Sequence, residues 1–69
     1  MDLELFAERL TSLRQEKGLT MKELGQATGF THTAISYWES AKRMPSAGNL
    51  YELALFFGVS ANFLIGLDD

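Results

Sequence analysis

Hydroxyl residues and glycines punctuate this chain at intervals that leave room for little except short helices. Thr20, Thr31, Ser46 and Ser60 stand where a helix would open, and Gly18, Gly29, Gly58 and Gly66 where one would close. A Ser or Thr side chain satisfies orphan amides of a first turn, and glycine takes the left-handed backbone that ends a helix. Thr20-Met21-Lys22-Glu23 reads as a capping box, in which hydroxyl and carboxylate each bond the other residue's amide. Pro45 stops a third helix from running into a fourth. Between these marks apolar residues recur at spacings of three and four: Phe6, Leu10 and Leu13; Leu24 and Ala27; Ile35 and Trp38; Leu50, Leu53, Ala54 and Phe57; then Phe63 and Leu64. The pattern predicts helices over about 3–17, 21–28, 32–40, 47–57 and 61–65, with these positions facing inward. Strand-like alternation is missing, so the expected fold class is all-α, a compact five-helix domain over residues 1–69. Two places press against it. Gly48 and Asn49 are poor first-turn residues. Ala41 stands where a closing glycine is expected, so it must take a positive φ or force a different turn.

A chain of 69 residues holds one small domain. It has no cysteine, which excludes disulfides and thiolate metal sites, and its one histidine, His32, has no partners spaced for zinc. No metal or other cofactor is expected. Catalysis needs a positioned acid, base, nucleophile or metal, and no such set occurs, nor a phosphate-cradling glycine loop, so an enzyme is not expected. No apolar run approaches the roughly 18 residues of a membrane span. The opening MDLELFAERL is too acidic for a signal peptide, which points to the cytoplasm.

The net charge of −3 argues against nucleic acid until its distribution is considered. Residues 9–43 hold all six cations (Arg9, Arg14, Lys17, Lys22, Lys42 and Arg43) against three acids. Both ends are purely acidic. On charge alone, ordinary solvated surface charge is the favoured reading over a polyanion partner.

Residues 20–38 form the unit that decides between them. Two short helices joined by Gly29-Phe30-Thr31 would cross sharply. Gly25 offers the small residue that a close crossing needs, and glycine inside a helix otherwise costs about 1 kcal/mol. Leu24, Phe30, Ile35 and Trp38 would fill the angle. On these residues the sequence resembles the lambda-repressor/Cro-like helix-turn-helix family of bacterial and phage regulators. The matching stretches are RLTSLRQEKGLTMKELGQATGF, THTAISYWESAKRMPS and LYELALFFGVSANFLIG, which together cover nearly all of residues 9–66.

The resemblance implies a sequence-specific transcriptional regulator, a repressor in the first instance, that sets helix 32–40 in the major groove of an operator. It assigns base contacts to His32, Thr33 and Tyr37. It assigns DNA backbone contacts to Thr20, Lys22, Thr31, Lys42 and Arg43, and a structural ion pair to Arg14 and Glu39. It implies a homodimer on double-stranded DNA, joined through the C-terminal third, where Phe56, Phe57, Phe63, Ile65 and Leu67 exceed what a small core needs. Read without the family, His32 is a plain surface residue and Tyr37 a surface aromatic or dimer contact. Lys22 divides evenly between phosphate and solvent, and Arg9 and Lys17 are solvated.

Three departures from the family matter. Met21 stands where the family has a phosphate-binding Gln, Ala41 replaces the loop glycine, and 31–40 contains no Lys, Arg, Asn or Gln. Recognition would rest on imidazole, hydroxyl and methyl groups, without the bidentate pairs worth about 1–3 kcal/mol each. The alternative is a protein-interaction module on the same fold: an antitoxin, an antirepressor or the head of a larger repressor.

Overall fold

The computed structural model describes residues 1–67; Asp68 and Asp69, which end the expected domain and its acidic tail, lie outside the described residues. Five helices follow in order: α1 (Leu3–Glu16), α2 (Met21–Thr28), α3 (His32–Glu39), α4 (Ala47–Phe57) and α5 (Ala61–Ile65). The described residues contain no strand. Each helix has a side-chain cap. Thr20, Thr31, Ser46 and Ser60 accept the amides of Glu23, Ala34, Asn49 and Phe63 at 3.0–3.1 Å. Asp2 does the same for α1, accepting from Leu5 at 3.0 Å. The Ser46 cap is strong enough to start α4 despite Gly48 and Asn49 in its first turn.

The core draws on every helix. Phe6 and Leu10 of α1, Leu24 of α2, Ile35 and Trp38 of α3, Leu53 and Ala54 of α4 and Leu64 of α5 form one buried cluster. Helix α1 packs on α3 and α5, α2 on α3 and α4, and α4 on α5. Phe30, in the turn between α2 and α3, meets Trp38 edge to face at 5.1 Å between ring centres. That arrangement adds to the area it buries.

Several expectations change. Ala27 is exposed, not inward. Gly25 and Ala27 are two residues apart, so about 200° separates them around the helix. Gly25 takes the buried side with Met21, Leu24 and Thr28, and Ala27 is turned away. Helix α3 ends at Glu39 with Ser40 as its cap, and α1 ends at Glu16 with Lys17 as its cap. Phe56, Phe57, Phe63 and Ile65 are all partly covered, while the exposed large apolar side chains of the second half are Met44, Tyr51, Leu55 and Leu67. Arg9 is not simply solvated. Its guanidinium lies 4.3 Å above the Phe63 ring and donates to the Phe63 carbonyl, tying α1 to α5.

Ala41 takes the costly course, with φ at 58°. Around it Ala41 N donates to Trp38 O at 3.3 Å and Lys42 N to Tyr37 O at 2.9 Å. This is the paired closure of a Schellman motif, formed here without glycine.

Candidate nucleic-acid interface

Helix α2 meets the turn that leads into α3 through a contact that only glycine permits. A Cβ on Gly25 would lie 2.7 Å from the Phe30 carbonyl oxygen, and that neighbour is backbone and cannot swing aside. Gly29 reverses the chain at φ 84°, its amide donating to Gly25 O at 2.8 Å. The Thr28 hydroxyl fastens the same turn, donating to Leu24 O at 2.7 Å and accepting from the Phe30 amide at 3.3 Å. The crossing of the two helices therefore combines a close backbone approach at Gly25 with the packing of Leu24, Phe30, Ile35 and Trp38.

Helix α3 has two distinct faces. Ile35 and Trp38 are buried, and Glu39 beside them is 4% exposed. Arg14 reaches Glu39 from α1 with two parallel bonds, Nε to Oε2 at 2.7 Å and Nη2 to Oε1 at 3.0 Å. Its remaining Nη1 donates to the Leu19 carbonyl at 2.8 Å. The hydrogen bonds to Glu39, more than its charge, raise the Arg14 pKa above its ordinary value against the opposing effect of burial. The Thr11 hydroxyl completes the cluster, 3.1 Å from Glu39 Oε1 and 2.8 Å from Ala7 O. All buried polar side-chain atoms among the described residues have partners.

The other face is open. His32 and Thr33 are exposed in the first turn, and Tyr37 is half-buried one turn on. At 100° per residue, His32, Ser36, Thr33 and Tyr37 span an arc of about 140°. Thr31 caps the helix and is exposed. Beyond the Ala41 reversal, Lys42 and Arg43 are exposed, and the Arg43 guanidinium lies 5.2 Å from the centre of the Tyr37 ring. A shallow groove beside α3 is lined by Thr31, Thr33, Tyr37, Arg43, Met44 and Asn49 among others. Asn49 and the Arg43–Tyr37 contact were not visible in the sequence, because they depend on how the 40–46 loop returns over α3.

At the start of α2, Thr20 N donates to Glu23 Oε1 at 2.8 Å, and Glu23 N donates to Thr20 Oγ1. These bonds, the Thr20 amide first, lower the Glu23 pKa. Lys22 is exposed beside them. Met21, where the related pattern has Gln, packs against the core. It supports the fold from a position that would otherwise brace α3.

Two short capped helices, crossed over a glycine contact, with the second holding one face in the core and offering the other, define a helix-turn-helix protein. The Helix-turn-helix family model matches residues 10–64. The chain belongs to this family, the lambda-repressor/Cro-like regulators. An uncharacterized HTH-type transcriptional regulator, y4dJ of Sinorhizobium fredii, is 41% identical over 61 residues, covering 87% of this chain and 79% of the relative. The HTH-type transcriptional activator BcrR of Enterococcus faecalis is 38% identical over 60 residues, and the chain spans only 29% of its length. Repressor protein C2 of Salmonella phage P22 is 29% identical over 65 residues, with 30% of its length spanned. No solved structure gives a significant match. These relatives are named for transcriptional regulation, activation and repression.

Proposed function

We propose that the chain is a sequence-specific DNA-binding regulator that lays α3 in the major groove of an operator. The observation that carries this reading is the division of α3 into two faces. His32, Thr33 and Tyr37 are left outward, on a helix whose inner side is fixed by Ile35, Trp38 and the Arg14–Glu39 pair. His32, Thr33 and Tyr37 read base edges. The Thr20 and Thr31 hydroxyls, Lys22, Lys42 and Arg43 hold the phosphates on either side. Neutral His32 gives or accepts one bond, Thr33 offers a hydroxyl and a methyl, and Tyr37 a phenol on a long apolar arm.

Repression is the assigned output. Occupying a site needs only the DNA-binding face, whereas activation needs a further contact with the transcription machinery. The protein works as a homodimer joined through its C-terminal third, where Tyr51 and Leu55 stand exposed one turn apart on α4 and Leu67 follows α5. Its place of action is the cytoplasm, where the DNA is. Among the described residues, no helix is long and apolar enough to cross a membrane.

Fluorescence anisotropy against DNA flanking the gene, with single substitutions, tests the reading. His32→Ala and Tyr37→Ala change the preferred sequence, while Lys42→Ala weakens all sequences about equally. If Lys42→Ala alters preference and His32→Ala does nothing, α3 is not the reading helix. A protein that binds no sequence better than bulk DNA at low salt, yet captures a protein partner, is instead an interaction module on this fold.

A further inference from the structure

We propose that Arg43 is a positioning residue for sequence recognition, its guanidinium over the Tyr37 ring fixing that ring while its N–H groups meet the DNA. The inference rests on the reading of α3 as the DNA-reading helix and deepens it. Tyr37 is the last outward side chain of α3, and a half-buried aromatic on a helix has two χ1 wells to choose between. A reader without bidentate partners gains its selectivity from being held in one direction before it binds.

The chain places Arg43 where it can do this. Ser40 caps α3, the Ala41 backbone turns at φ 58°, and Lys42 N closes on Tyr37 O at 2.9 Å. The reversal returns the next residue over the turn it has just left. Arg43 Cζ consequently lies 5.2 Å from the Tyr37 ring centre, inside the roughly 6 Å over which a cation and an aromatic face attract. Both side chains line the groove that also holds Thr31, Thr33 and Asn49. A guanidinium held over a ring still has N–H donors for a phosphate, so one side chain can join the backbone grip to the direction of the base reader. A lysine at 43 would keep the charge but not the plane.

Lysine therefore separates the two roles. Sites are selected from a randomised duplex pool with the wild-type protein, Arg43→Lys, Arg43→Ala, Tyr37→Ala and the Tyr37→Ala/Arg43→Lys double variant. Salt slopes are measured on the site the wild type selects. Thermal melting of each free variant identifies any change that merely unfolds the domain. Arg43→Lys keeps the wild-type salt slope, yet loses about two- to fivefold of the preference at the base pair whose preference Tyr37→Ala abolishes. The double variant is no less selective than Tyr37→Ala alone. Arg43→Ala loses the same preference and also flattens the salt slope. If Arg43→Lys selects with full wild-type preference, or if its loss multiplies with that of Tyr37→Ala, Arg43 is a phosphate contact only and the proposal is wrong. If the folded wild type enriches no sequence at all, the DNA-reading function itself falls and takes the proposal with it.

Discussion

Glu39 is an acid on the helix that we propose meets a polyanion, and its surroundings explain why this is tolerable. Its carboxylate is bonded twice by Arg14, and its side chain is only 4% exposed. The charge is spent inside the domain. Removing one partner of this part-buried pair leaves the other's hydrogen bonds unmade, at a cost of about 1–3 kcal/mol. Glu39→Ala should therefore lower the urea midpoint sharply, whereas replacing both Arg14 and Glu39 by Met should recover most of the loss. A second residue-scale test concerns Gly25. Alanine there gains helix propensity worth about 1 kcal/mol, but its Cβ would sit 2.7 Å from the Phe30 carbonyl oxygen. We expect net destabilisation, read as a lower melting temperature, together with weaker DNA binding as α3 is pushed off its angle. A Gly25→Ala protein with wild-type stability and affinity would show that the crossing is not set by this contact. The pairing of Arg14 with Glu39 was expected from family resemblance alone; no local pattern joins residues 25 apart. The Arg9 contact with Phe63 spans 54 residues and has no sequence signal whatever.

At the scale of elements, helix ends are local chemistry and were the most legible part of the chain. The capping hydroxyls of α2 to α5 and the Thr20–Glu23 box could be read directly. The inner face of α2 was only half legible: Leu24 is buried as expected, but eight residues with few apolar positions do not fix the rest of the face, and Gly25 takes the side expected of Ala27. The closing turns raise a further point. After Gly18 and Gly58 the chain places Leu19 and Val59, and both pack against the core. After Ala41 it places exposed Lys42. The α3 closure thus lacks both the glycine and the apolar anchor, which makes it the most expensive helix end in the fold. A left-handed non-glycine residue costs about 1–2 kcal/mol, part of which glycine would return through its freer unfolded chain. Ala41→Gly should stabilise the domain by about 0.5–1 kcal/mol, seen as a higher urea midpoint with an unchanged slope. No gain would mean that the strain at Ala41 is relieved by contacts other than those in this turn.

For the molecule as a whole, the question is how an acidic protein would hold DNA. The six cations of residues 9–43 are not equivalent. Arg14 is committed to Glu39 and Leu19, Arg9 to Phe63, and the Lys17 ammonium lies 5.3 Å from the Phe56 ring centre. Lys22, Lys42 and Arg43 are exposed on the elements that flank α3. Three phosphate contacts predict a slope of log affinity against log salt of about −2.7 for one protomer. That is a shallow dependence, and the reading face has no bidentate donor to make up the affinity. One domain on one half-site should bind weakly. Two domains on half-sites about 34–36 Å apart would double the slope to about −5.4 and multiply the selectivity. The 30 × 23 × 20 Å dimensions of the domain let neighbouring copies meet at that spacing. We propose the exposed Tyr51 and Leu55 as the apolar contact for that pairing. Replacing both by Ser should leave the fold intact, since they are largely in solvent, and should return the slope on a paired site to the single-protomer value. A steep slope that survives those replacements would place the dimer contact elsewhere. A slope near −2.7 in the unaltered protein would mean that it reads its operator as a monomer.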